Sequence, residues 1–215
     1  MWSLFTKKKT WRQAFEEGIA RGSAGKLVEA EASFREAVLL APDEPYPRYE
    51  LGYTLFLMGR CPEALAEFRR TEDLQCGFFL VQTEIYLCEQ FLARTIDWDV
   101  VTLLRGLQRL MDERAIHTEE AKRLSTRVTQ VAPNCPLGHY YLGKILLNQD
   151  PIGAEVALRR CIDLNPDDTT AIDAKFHLGI LMRDSGRLEE ARTLWKTVLA
   201  DYPCNPRSKL CDLVL

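Results

Sequence analysis

Residues 46–68, YPRYELGYTLFLMGRCPEALAEF, contain the pattern that decides the fold. At 3.6 residues per turn, Leu51, Gly52 and Leu55 form one stripe of a helix. A second stripe lies on nearly the opposite side and consists of four aromatic residues: Tyr46, Tyr49, Tyr53 and Phe56. An ordinary surface helix has a single apolar face. The second face therefore makes this helix a candidate binding surface.

A turn and a second helix follow this first helix. The turn is MGRCP, residues 58–62, and Pro62 suits the start of a helix because the backbone N–H that it lacks has no partner there. The second helix runs on from Glu63 and is expected to bury Ala64, Leu65 and Phe68. The segment therefore predicts a pair of antiparallel helices.

The residue types of this pair recur along the chain. Three pairs of identical residues are displaced by 34 positions: Gly18 and Gly52, Ala30 and Ala64, Phe34 and Phe68. Two later copies keep the same order: Leu142-Gly143, Ala154, Leu158 and Pro166, then Leu178-Gly179, Ala191, Trp195 and Pro203. Gly and Ala allow two helices to approach closely, and the large residue four positions on fills the remaining space. Because one short pair cannot bury its apolar surface alone, the pairs must stack.

In spacing and residue types, the four copies resemble the tetratricopeptide repeat family over about residues 11–76 and 136–203. The resemblance implies an all-α fold, a right-handed superhelical stack of antiparallel helix pairs. The chain departs from the family pattern in places: Glu17 and Cys76 replace the usual Leu and Pro, and the turn after Asn148 is one residue short.

We expect a single array over residues 1–215. The four repeats are predicted at residues 11–44, 45–78, 136–168 and 172–205. Residues 79–133 lose the pattern and form an irregular centre, with helices predicted at 79–94, 98–114 and 118–131. Two interpretations of this centre stay open, a degenerate repeat and a lid over a neighbouring surface. Residues 206–215 form either a short cap on the last repeat or a docking tail.

Composition indicates a cytoplasmic protein that does not bind nucleic acid. The 28 basic residues are interspersed with 31 acidic ones, for a net charge of −3. The seven cysteines are odd in number and never form a C-x-x-C pair, which is typical of reduced thiols. The N-terminal MWSLFTKKKTW has its apolar residues before its lysines, the reverse of a signal peptide. We expect it to pack on the first helix, with membrane contact as the alternative.

The sequence predicts no catalytic residues, no metal site and no cofactor. His117, His139 and His177 lie in unrelated segments, and there is no Gly-rich phosphate loop. Cys135 and His139 are four residues apart, but two ligands are fewer than the four that a structural zinc site needs.

The family resemblance also implies a binding surface, because the first helices of successive pairs line a concave groove in such proteins. Carried over by register, twelve residues would line a peptide-binding groove here: Phe15, Ile19, Tyr46, Tyr49, Tyr53, Phe56, Tyr140, Lys144, Leu147, Phe176, Ile180 and Arg183. Chaperone-binding members place Lys and Asn in this groove to hold a terminal carboxylate. Phe15, Ile19 and Tyr53 stand at the matching positions, so we reject that specificity.

These observations predict a non-catalytic adaptor or scaffold that binds an apolar or amphipathic peptide segment of a partner protein. Two alternatives stay open. One is a chaperone for exported or assembling protein subunits. The other is a structural subunit of a homo-oligomer joined through its C-terminal tail. A further alternative concerns the aromatic residues, which could instead pack between adjacent first helices or beneath the 79–94 helix.

Overall fold

The structure, a computed structural model, describes residues 9–78 and 81–215. The described residues form helices and connecting turns, which confirms the predicted all-α fold. The α-helices are α1 (Trp11–Ser23), α2 (Leu27–Leu40), α3 (Pro45–Leu57), α4 (Cys61–Leu74), α5 (Val81–Leu92), α6 (Trp98–Asp112), α7 (Glu119–Val131), α8 (Pro136–Leu146), α9 (Pro151–Asp163), α10 (Asp168–Asp184), α11 (Leu188–Asp201) and α12 (Lys209–Asp212). The expected packing of residues 1–8 and the start of the predicted 79–94 helix lie outside the described residues.

The chain divides into two compact units, residues 1–88 and 89–215, with the boundary inside α5. In the first unit α1 packs on α2, α2 on α3, and α3 on α4. In the second unit the pairs α6–α7, α8–α9 and α10–α11 pack on one another in chain order. The irregular centre thus contains the three predicted helices, and α6 and α7 pack together like a repeat.

In each of the four predicted repeats, a glycine of the first helix packs against a large side chain of the second helix. The four pairs are Gly18 with Phe34, Gly52 with Phe68, Gly143 with Leu158 and Gly179 with Trp195. An added Cβ at any of these glycines would approach the facing side chain more closely than 3.0 Å, so no larger residue fits without a shift. This contact explains why the sequence pattern recurs.

Polar side chains fix where several helices begin. Asp97 Oδ1 accepts a hydrogen bond from the Val100 N–H at 2.9 Å, and Thr118 Oγ1 accepts one from the Ala121 N–H at 3.3 Å. Both side chains occupy the N-cap position. α10 begins at Asp168, before the predicted start of the last repeat at residue 172. The reason is Asp167, whose Oδ1 accepts from the Thr170 N–H at 3.0 Å and extends the helix.

The C-terminal residues fold back on the last helix pair. A 3₁₀ helix (Pro206–Ser208) contacts α10, and α12 contacts α11. Ser208 Oγ donates to the Tyr202 carbonyl at 2.6 Å, and Cys211 is buried. Leu213 stays exposed, so the segment covers the end of the unit only in part. Across the described residues, no helix is long and apolar enough to cross a membrane.

Candidate functional site

The exposed stripe of α3 differs by one position from the predicted stripe. Tyr46 is 57% exposed and Tyr53 is half-buried, whereas Tyr49 is 8% exposed and Phe56 is 0% exposed. The open stripe is therefore Tyr46, Glu50, Tyr53 and Leu57, at helical spacings of four, three and four residues. We call these four residues the α3 face. The sequence prediction missed Glu50 and Leu57.

Tyr49 and Phe56 lie on the neighbouring side of α3, where they belong to the core of the first unit. The Tyr49 ring lies 5.8 Å from the Phe68 ring and 5.6 Å from the Phe78 ring. Tyr46 also contacts Phe78, with ring centroids 4.8 Å apart, but keeps more than half of its surface exposed. Of the four predicted α3 residues, only Tyr46 and Tyr53 therefore present a surface to a partner. Tyr49 and Phe56 are instead packed inside the unit, as in the alternative interpretation of the aromatic residues.

A pocket of about 240 Å³ lies between α1, α2 and the α3 face. Its apolar wall includes Ile19 and Leu27, and its other wall includes three members of the α3 face: Glu50, Tyr53 and Leu57. The structure thus brings together two predicted groove residues, Ile19 and Tyr53. Phe15 is half-buried, with its ring 5.9 Å from the Phe34 ring, which also lines the pocket.

Glu50 is the only charged residue in the lining of this pocket. Burial, and secondarily the nearby carboxylate of Glu84, raise the pKa of Glu50. Its backbone carbonyl accepts from Thr54 Oγ1 at 2.8 Å, an ordinary bond within the helix. The pocket therefore combines apolar walls with one carboxyl group.

The predicted groove residues of the second unit lie on α8 and α10 or directly after α8. Tyr140 is buried, and its hydroxyl donates to Asp173 Oδ2 at 3.1 Å. Burial, together with Asp173, raises the pKa of Tyr140. Lys144 Nζ donates to Tyr140 Oη at 3.2 Å, and Arg207 Nη1 lies 2.6 Å from Asp173 Oδ2. The predicted residues Tyr140 and Lys144 thus lie in a hydrogen-bonded cluster that joins α8, α10 and the C-terminal segment.

Burial also governs the ionisation of the bases in this cluster. It lowers the pKa of Lys144, and it lowers the pKa of His177 to about 4, with the Lys144 charge as a second cause. Both effects disfavour the charged form of a base in an apolar site. The other predicted residues of this unit lie on α10 or directly after α8. Leu147, Phe176 and Ile180 are half-buried, and Arg183 is exposed and pairs with Asp184 at 2.9 Å.

The Cys135 and His139 pair does not form a metal site with a third ligand within residues 9–78 and 81–215. Cys135 is buried, and burial raises the pKa of its thiol. His139 Nε2 lies 2.9 Å from the carbonyl oxygen of Pro133, in the loop that precedes α8. Cys161, on α9, is fully buried.

Models of the tetratricopeptide repeat match residues 15–75 and 173–203. The chain therefore contains tetratricopeptide repeats in these two segments, as TPR proteins do. Proteins of this class generally mediate protein–protein interactions and are typically non-enzymatic. One curated relative, cellulose synthase operon protein C of Xanthomonas axonopodis pv. citri (strain 306), is 33% identical over 76 residues. That match covers 35% of this chain and 5% of the relative.

Several solved structures have a similar arrangement of helices. A thermophilic TPR protein of Thermus thermophilus is 20% identical, with a TM-score of 0.40, and the match covers 96% of this chain and 100% of that one. MamA of Desulfovibrio magneticus RS-1 is 16% identical, with a TM-score of 0.40 and coverage of 88% and 93%. The TPR2AB domain of yeast Sti1, in complex with pHSP90, is 11% identical, with a TM-score of 0.46 and coverage of 96% and 84%.

Proposed function

We propose that this protein is a non-catalytic adaptor that binds an apolar or amphipathic peptide segment of a partner protein through its first-helix faces. The observation that carries the proposal is the α3 face with its pocket. Tyr46, Tyr53 and Leu57 keep apolar surface open on a helix whose other sides are buried, and Ile19 extends that surface onto α1.

Physical chemistry favours a peptide as the occupant of this face. Aromatic side chains gain about 1.5–3 kcal/mol when fully buried, and a tyrosine hydroxyl can also bond to a peptide backbone. Hot spots of protein interfaces are enriched in tyrosine and cluster around small pockets. The α3 face has this composition: Tyr53 lines the cavity of about 240 Å³, and Tyr46 lies seven residues earlier on the same face.

Selection from a display library of random 12-residue peptides on the immobilised full chain tests the proposal. Selected peptides are then measured by fluorescence anisotropy against the wild type and an Ile19→Ser, Tyr53→Ser double variant. We expect the double variant to bind at least about tenfold more weakly, the effect of losing about 1.4 kcal/mol.

A Val28→Ser, Leu39→Ser double variant is the matched control. Both residues lie on α2, are 70% and 82% exposed, and do not line the pocket. The control removes a similar amount of exposed apolar surface and should bind like the wild type. A library that yields no binder, or peptides that bind both double variants equally well, would contradict the proposed function.

A further inference from the structure

Glu50 differs from Glu31 and Glu67, two poorly exposed carboxylates of the first unit that form ion pairs. Glu31 has two arginine partners, Arg35 at 2.8 Å and Arg60 at 2.7 Å, and Glu67 has Arg48 at 3.2 Å. Among the described residues, no cation lies within 4.0 Å of the Glu50 carboxylate. A half-buried carboxylate without a compensating charge is unfavourable in the free protein.

Two arginines on the helices beside the pocket, Arg48 on α3 and Arg21 on α1, have other partners. Arg48 pairs with Glu67. Arg21, at the end of α1, lies 3.3 Å from Glu17 and donates to Ser33 Oγ. Neither is free to neutralise Glu50 without losing an existing ion pair or hydrogen bond. A positive charge on a bound partner would supply the counter-charge that these two arginines do not provide.

The walls of the pocket restrict what this partner can be. Ile19, Leu27 and Leu57 supply aliphatic surface, and the rings of Phe34 and Tyr53 can face a cation. At about 240 Å³ the pocket is smaller than the 300–1,000 Å³ or so of sites for drug-sized ligands. A single long side chain with an apolar stem and a positive end matches this combination. Lysine and arginine have that form, because their methylene stems pack on apolar surface while the head stays charged.

We infer that the pocket under the α3 face accepts a lysine or arginine side chain of the partner segment, with its charged end on Glu50 and its stem between Ile19, Leu27 and Leu57. The inference rests on the proposed function and adds a specificity to it. The bound segment is then amphipathic, with a basic residue anchored in the pocket and apolar residues against Tyr46 and Tyr53.

Two small probes that differ only in charge test this inference. N-acetyl-lysine N-methylamide and N-acetyl-norleucine N-methylamide are titrated into the ¹⁵N-labelled full chain, and amide shifts at Ile19, Tyr53 and Thr54 report on the pocket. Affinities of such small ligands fall in the millimolar range. We expect the lysine probe to bind at least about fivefold more tightly than the norleucine probe, a difference of about 1 kcal/mol.

Two variants locate the effect. Glu50→Gln keeps the shape of the side chain and should make the two probes equal. Asp73→Asn removes one charge from an exposed position on α4 and should leave the fivefold preference intact. Heteronuclear spectra of each variant confirm that the fold is retained.

Three results would overturn the inference: equal binding of the two probes by the wild type, an undiminished lysine preference in Glu50→Gln, and no pocket shifts with either probe. Equal binding leaves the proposed function in place, since the pocket then takes an apolar side chain. The peptide selection tests the proposed function separately, because the proposed function does not require a basic residue in the selected peptides.

Discussion

Gly52 packs against the ring of Phe68 so closely that a Cβ at position 52 would lie 2.8 Å from Phe68 Cε1. The same Cβ would lie 3.3 Å from the Ala64 carbonyl oxygen, so both a core ring and the backbone block it. The two helices of the second repeat can therefore approach this closely only because residue 52 has no side chain.

We predict that Gly52→Ala lowers the free energy of unfolding by about 1–3 kcal/mol, the usual effect of overpacking a core. Gly22→Ala is the matched control, because its added Cβ would lie 3.9 Å from the nearest atom, Ala30 Cβ. Alanine there should stabilise the helix by about 0.5–1 kcal/mol. Urea denaturation of both variants measures the difference, and equal stabilities would contradict the close contact.

This contact was predictable from the sequence because Gly52 and Phe68 belong to a pattern that repeats at fixed spacing. Helix pairs, turns and caps follow from such local patterns. Which side of α3 is exposed could not be predicted in this way. Tyr49 and Tyr53 are the same residue type four positions apart, so the sequence pattern does not distinguish the buried one from the more exposed one. Tyr49 faces inward because it packs against Phe68 and against Phe78, which lies in the loop after α4.

Glu50 was missed for a related reason. A single glutamate between Tyr49 and Leu51 reads as an ordinary solvated charge, and nothing in the sequence shows that α1 covers it. Its signal is tertiary, since Ile19 and Leu27 come from helices 23 or more residues earlier in the chain. Likewise the link from Tyr140 to Asp173 joins helices of different repeats, and no repeat pattern specifies it.

The raised pKa of Glu50 predicts how stability depends on pH. A carboxyl group whose pKa is higher in the folded than in the unfolded state binds protons more tightly when folded, so stability falls as pH rises. Glu50→Gln removes this effect. We expect the variant to be more stable than the wild type at pH 8, by at most about 1 kcal/mol, and the difference to close towards pH 4. A variant that is less stable than the wild type at pH 8 would contradict the unfavourable burial of this carboxylate.

An arginine at the start of the second helix links neighbouring repeats in both units. Arg60 Nη1 lies 2.7 Å from Glu31, and Arg187 Nη1 lies 2.9 Å from Glu155. Burial alone would raise the pKa of Glu31, but the hydrogen bonds from Arg35 and Arg60 outweigh it and lower the pKa. Because the folded-state pKa is lowered, this stabilisation is present at neutral pH and is lost as the pH falls through that pKa.

We predict that Arg60→Met lowers the free energy of unfolding at pH 7, and by more than Arg192→Met does, because Arg60 bonds to the poorly exposed Glu31. The loss should shrink in acid, as the pH falls through the lowered folded-state pKa of Glu31. Arg192→Met, which removes an exposed pair with Glu189, should change stability by no more than about 0.5 kcal/mol. A pH-independent loss for Arg60→Met would indicate packing of the arginine stem instead of charge.

His177 should be neutral at physiological pH and charge only in acid. Burial, and then the Lys144 charge, lower its pKa to about 4, whereas Asp173 acts in the opposite direction. Since the unfolded-state pKa is about 6.5, the unfolded chain binds the proton first and stability falls as the pH drops from about 6.5 to 4. NMR titration of the His177 ring measures this directly. Lys144→Met should raise its pKa, and a wild-type value near 6.5 would contradict the buried, charge-flanked site.

An ion pair joins the C-terminal segment to α10. Arg207 Nη1 lies 2.6 Å from Asp173 Oδ2, the oxygen that also accepts from Tyr140 Oη. We predict that Arg207→Met releases the segment locally, at a cost of about 1 kcal/mol. The Ser208 amide, which donates to the Asn205 carbonyl at 3.0 Å, should then exchange its hydrogen faster.

Tyr140→Phe separates the two contacts that share Asp173. It removes the bond between α8 and α10 but leaves Arg207 in place, so amide protection at Ser208 should persist. Lys209→Met, at an exposed position of the same segment, controls for loss of a positive charge. Hydrogen exchange that is unchanged in Arg207→Met would mean that burial of Cys211 alone holds the segment. If exchange rises equally in Arg207→Met and Tyr140→Phe, the Arg207–Asp173 pair does not act alone. Both Tyr140 and Arg207 are then needed to hold Asp173 in position.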